Sequence, residues 1–166
     1  ILPLFGEPHT LCINYDTDTK RTSITLKDNK VFVKTNKESP GVRVERFLRK
    51  LAQDRLSALS HEKAARIKKK VSSVKVRDTK TRWGSCSTQG TLSYSWRLIF
   101  APYETFDYIV AHEVAHLKHM DHSKAFWDVC EDLSVDYHKG KNWIKKHGHS
   151  LMRYGYEPDN PMPTEE

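Results

Sequence analysis

The stretch HEVAHLKHMDH, residues 112–122, places four histidines and a glutamate within eleven positions. Neutral imidazole is the commonest side-chain ligand for a divalent metal, and a carboxylate beside it can move protons. Wound as a helix, His112 and His116 stand one turn apart and about 40° apart around the axis, so both rings reach one point. Two nitrogen ligands of a single zinc ion need that geometry. Glu113 lies between the histidines and the apolar side of the helix, close enough to take a proton from water that zinc has acidified.

A catalytic zinc takes three protein ligands and keeps a fourth position open. His122, six residues past His116 and just beyond the expected helix end, can fold back to supply the third. His119 is seven residues from His112, about 10 Å along the axis, so those two cannot share an ion. It reads as a support for a ligand or as surface. Glu131, on the next helix, is the other candidate third ligand, although nothing in its immediate sequence marks it. The competing view of the whole cluster is a histidine-rich exposed helix. That view requires polar neighbours, and the sequence supplies Val114, Ala115 and Leu117.

The elements that must hold these residues follow from periodicity. Phe106, Ile109, Val110, Val114, Leu117 and Met120 recur at helical spacing, which predicts a helix over 103–120. On it, Lys118 and Asp107 point away from the apolar stripe, toward solvent. Pro102 stands where a first helical turn accepts it. A further helix starts after Asp121 or Ser123, both suitable caps, with Phe126, Trp127, Cys130 and Leu133 on one side. Upstream, Ile24 and Leu26, then Val31 and Val33, alternate around KDNK, which is a hairpin signal. Residues 10–16 add a third strand to a small front sheet. A helix is expected over 42–58, with a second helix or its continuation through 61–70. Strands are expected at 72–78 and 91–99. The tail EPDNPMPTEE reads as disordered.

Length and composition fit one compact domain. Within it, residues 1–38 form an N-terminal hairpin region, 39–150 the core and 151–166 a tail. No apolar run is long enough for a membrane helix. The opening ILPLFGEPHTL is short and lacks a basic flank, which argues against a signal peptide. Three scattered cysteines, Cys12, Cys86 and Cys130, argue against a disulfide framework, so a reducing, cytoplasmic location is expected. The net charge of +7 is bunched at 63–70, 75–82 and 139–149. It serves either as a solvated face or as an attraction for phosphate-bearing partners, nucleic acid included.

Three segments, TRWGSC (81–86), WRLIFAP (96–102) and HEVAHLKHMDHSKAFW (112–127), together resemble the YgjP-like metallopeptidase domain, a group related to the SprT-like and WLM zinc peptidases. The resemblance spans roughly residues 20–148. It implies zinc held by His112, His116 and His122, with Glu113 as general base. It also implies an α+β fold in which a zincin-like HExxH helix packs beside a small antiparallel sheet. The strand near 91–98 would then be an edge open to an extended peptide. The ligand spacing equals that of metzincins, except that His119 stands where those have the glycine that eases the turn.

In RWGSC, Trp83 reads as a buried anchor beside a tight turn and Cys86 as core. Arg82 is either structural or a binder of substrate carboxylate or phosphate at the cleft. Tyr137, His138 and Tyr154 are candidate oxyanion donors that the sequence cannot place. The leading expectation is a zinc metallopeptidase. The alternatives are a metal-dependent hydrolase of nucleotide phosphoanhydrides and a nucleic-acid-associated module whose zinc site is structural or dormant.

Overall fold

The structure is a computed structural model and describes residues 1–79 and 81–154; the segment EPDNPMPTEE lies outside the described residues, while Leu151 and Met152, at the start of the expected tail, are buried. Among the described residues, seven strands and four α-helices appear in the order β1 Leu2–Leu4, β2 Glu7–Tyr15, β3 Ser23–Lys27, β4 Lys30–Thr35, α1 Gly41–Arg66, β5 Ser73–Arg77, β6 Gly84–Cys86, β7 Thr91–Ser95, α2 Tyr103–Ala115, α3 Lys124–Leu133 and α4 Tyr137–His147. The class is α+β, as expected. The sheets, however, are mixed rather than antiparallel.

The front sheet has the order β1-β2-β4-β3. β3 and β4 form the expected hairpin, turning at Asp28 and Asn29, both with positive φ as a two-residue hairpin turn requires. β4 then slots between β3 and β2 and runs parallel to β2. Its apolar alternation explains the central place, because Val31, Val33 and Thr35 are all buried. The additional strand β1 folds back on β2 through Phe5 and Gly6, both left-handed. Phe5 ties this sheet to the rest. Its N–H donates to the Ile99 carbonyl at 2.7 Å and its ring meets Phe106 edge-on at 5.1 Å.

The second sheet has the order β5-β7-β6, with β5 parallel and β6 antiparallel to β7. The segment expected as one strand over 91–99 is extended only to Ser95. There the Ser95 hydroxyl accepts the Arg97 N–H, and Trp96–Phe100 winds into a 3-10 helix. β7 is therefore the central strand and not an edge. The edge nearest α2 is β6.

α1 is a single 26-residue helix. It ends at Arg66, and Lys68 with φ 57° turns the chain out of it. α2 lies in the middle of the molecule, and every residue from Thr105 to Ala115 is buried. α4 crosses it at Gly140, where a Cβ would stand 2.4 Å from the Glu104 carbonyl oxygen and 2.6 Å from Tyr108 Cβ. Only a glycine lets the two helices approach so closely.

Asp107 does not reach solvent. Its carboxylate pairs with Lys63 Nζ of α1 at 2.8 Å, and the two side chains are 1% and 3% exposed. Lys63 also donates to the Leu133 carbonyl, and Asp107 accepts the Val135 N–H at 2.8 Å. The pair thus ties α1, α2 and the α3–α4 connection together. Lys63 is accordingly lost to the basic surface expected at 63–70.

No helix among the described residues is long and apolar enough to cross a membrane. The three cysteines are free. Burial pushes the Cys130 thiol up to about 12, so at pH 8 only about one molecule in ten thousand carries its thiolate. A thiol reagent at that pH should modify the half-buried Cys12 and Cys86 and reach Cys130 only after denaturation. Peptide mapping by mass spectrometry checks this, and prompt labelling of native Cys130 would contradict it.

Candidate metal centre

α2 begins after Pro102, whose carbonyl accepts the N–H groups of Thr105 and Phe106. Glu104 sits in the first turn, where the helix dipole favours an acid. The helix ends earlier than its apolar pattern suggests, with His116 as the C-terminal cap. Leu117, Lys118 and His119 then curl on as a tight turn, their N–H groups donating to Val114 and Ala115. No residue from 116 to 122 has positive φ. The reversal that brings His122 back is therefore made by stopping the helix one turn sooner, and no glycine is needed at 119.

His112 and His116 are 3% and 5% exposed, while His122 stands at the surface. One ligand atom from each lies within 4.8 Å of the other two. The ring centroids are 5.0 Å apart for His112–His116, 4.9 Å for His116–His122 and 5.4 Å for His112–His122. Among the described residues these three form the cluster able to hold a metal, and Glu131 is elsewhere, 4.0 Å from His138 at the surface. His119 contributes through its backbone. Its carbonyl accepts the His116 Nδ1–H at 3.0 Å, which leaves Nε2 as the lone-pair nitrogen.

The donor set fits a borderline-soft divalent ion. Three imidazoles beside a cleft match the protein share of a four-coordinate catalytic site. Neutrality is favoured at His116, where burial lowers the imidazole below its usual value. The bond to the His119 carbonyl and the charge of Glu113 oppose that shift.

α3 supplies a wall behind the rings. Ser123 caps it, its hydroxyl accepting the Phe126 N–H. The Phe126 ring stacks on His116 at 4.3 Å and 19°, and meets His112 edge-on at 5.1 Å. Trp127 lies nearly parallel to His122 at 5.8 Å, with Lys141 Nζ 4.0 Å from the indole centroid. From the sequence these two aromatics read only as the apolar side of a helix. Their adjacency to a histidine-rich turn is the signal that marks them as packing for the rings.

Glu113 is 2% exposed, with Oε2 3.3 Å from His112 Nδ1. In front of the histidines a cleft of ≈ 360 Å³ is lined by Arg82, Cys86, His116, Met120 and His122. Arg82, an exposed side chain, is thus on the cleft wall, and Cys86, half-buried, both packs against the core and lines the cleft. Trp83 is 4% exposed and is the buried anchor expected. The oxyanion candidates stand apart from the cleft lining. Tyr154 stacks on Phe100 at 4.0 Å, Tyr137 takes a bond from Lys141, and His138 is exposed near Glu131.

A family model described as the YgjP-like metallopeptidase domain matches residues 1–147. No curated protein matches the chain. Among solved structures, the metallopeptidase zymogen abylysin of Pyrococcus abyssi is similar at 22% identity and a TM-score of 0.49, over 56% of this chain and 95% of that one.

Proposed function

This chain belongs to the YgjP-like metallopeptidase domain family, and from that premise we propose that it is a zinc-dependent peptidase with His112, His116 and His122 as ligands and Glu113 as general base. The observation that carries the reading is the convergence of three imidazole nitrogens within 4.8 Å, with the Glu113 carboxylate buried on α2 next to the first of them. When bound, zinc supplies Lewis acidity that makes water acidic near neutral pH and polarises a carbonyl.

The residues of the chain do the rest. His116 is held in one orientation by the His119 carbonyl and the Phe126 ring. Glu113 takes the proton from the attacking water and passes it to the leaving amine. Because Glu113 is removed from bulk solvent, its charge acts on the reacting atoms with little screening. β6 is the sheet edge at the cleft, and an extended peptide can add to it by backbone pairing.

Metal content tests the reading. Tag-free protein is expected to carry about one zinc per chain, and His116→Ala to lose it. Elemental analysis that finds no metal in either protein, even after zinc is supplied, would remove the hydrolase reading.

Arg82 on the cleft wall favours one second reading, hydrolysis of a nucleotide phosphoanhydride at the same site. Phosphate release from nucleoside triphosphates, without cleavage of unfolded protein, would select it. Nucleic-acid association through the lysines of 139–149 is a separate proposal, read out as a steep fall of DNA affinity with salt.

A further inference from the structure

Gly84 is buried on β6, paired with Tyr94 of β7. Its φ is not in the left-handed region, so the backbone there does not require a glycine. A glycine inside a strand also sacrifices packing and chain order. The missing side chain is accounted for by Glu113. A Cβ at position 84 would stand 2.8 Å from Glu113 Oε2, 2.9 Å from Cγ and 3.1 Å from Cδ, its three nearest neighbours. The glutamate occupies the volume that an alanine methyl would fill. His112 Nδ1 also stands 3.3 Å from the same Oε2. The carboxylate is therefore seated against both the ring next to it in sequence and a strand backbone from another part of the chain.

We infer that Gly84 is a positioning residue for Glu113, the bare backbone of β6 setting where the proton acceptor stands. This rests on the reading of Glu113 as general base. In Gly84→Ala the group that must yield is the Glu113 side chain from Cγ outward rather than backbone, so the carboxylate is expected to move.

The test compares zinc-loaded variants of this chain by peptide-cleavage kinetics and metal content. Gly84→Ala is expected to keep its zinc, hold KM within about twofold and lose about 100-fold in kcat, the scale for a displacement near 1 Å. Glu113→Asp withdraws the carboxylate by one methylene. In that background Gly84→Ala should cost less than about threefold, and in Glu113→Gln it should cost nothing further. Equal losses in all three backgrounds would overturn the inference, since the glycine would then serve strand packing alone.

Should Gly84→Ala fail to fold, the Gly84→Ala/Glu113→Asp double variant decides. Recovery of the fold supports the inference, and continued failure overturns it. Full activity in Glu113→Gln would sink the general-base reading and this inference with it. A Glu113→Gln loss combined with additive Gly84→Ala losses would sink only the role of Gly84.

Discussion

Glu113→Gln is expected to bind zinc as the parent does and to lose about 10²–10⁴-fold in kcat, the range for removal of a positioned general base. Glutamine keeps the shape of the side chain, so it still fits against Gly84, whose backbone lies in contact with Glu113. Its amide oxygen can still accept a bond from His112 Nδ1, now 3.3 Å from Oε2. What disappears is the basicity and the negative charge, and neither is needed to hold the metal. KM should therefore change little, because the loss falls on an interaction that matters in the transition state. Zinc analysis alongside peptide-cleavage kinetics gives the readout. Activity within about tenfold of the parent would remove the general-base role. Loss of the metal would instead assign Glu113 to holding His112.

The second large effect concerns stability. Lys63→Met should lower the unfolding free energy by about 3–5 kcal/mol, because it leaves the Asp107 carboxylate buried without its counter-charge. Such a loss is a large share of the ~5–15 kcal/mol that holds a domain of this size together. The pair is 2.8 Å long with both side chains under 4% exposed, so solvent screening does not discount it. Adding Asp107→Asn to Lys63→Met should restore part of the loss, since the amide oxygen can still accept the Val135 N–H. Urea unfolding at fixed zinc concentration measures both variants. A change below about 1 kcal/mol in the single variant would mean that water reaches the carboxylate.

The same pair shows where the sequence ceased to be informative. A helical wheel assumes one side of each helix faces water, and on that assumption Asp107 falls on the wet side. α2 is buried all round, and the charge that neutralises Asp107 comes from Lys63, far away in sequence. No local pattern encodes that partnership. Strand order failed for a related reason. The three residues of β6 are too few to show an alternation, so the strand that forms the cleft-side edge carries no periodic signal.

The clustering of His112, His116 and His122 is legible in the sequence because it needs only local geometry. The 112/116 spacing is a property of a helix, and His122 follows within a few residues. The helix ends short of its apolar pattern, because Leu117 and Met120 continue the apolar rhythm beyond the last helical residue, Ala115. The positions of Phe126 and Trp127 depend on the reversal between α2 and α3, which periodicity cannot describe.

The imidazoles all come from residues 112–122, so the segment between the first and last is short and the entropy of bringing them together is small. The seat of Glu113 is different, since Gly84 lies 29 residues earlier (113 − 84) and is fixed only when β6 pairs with β7. On the proposed zinc-peptidase reading, holding the ion therefore asks only for local chain geometry, whereas placing the general base asks for the assembled sheet.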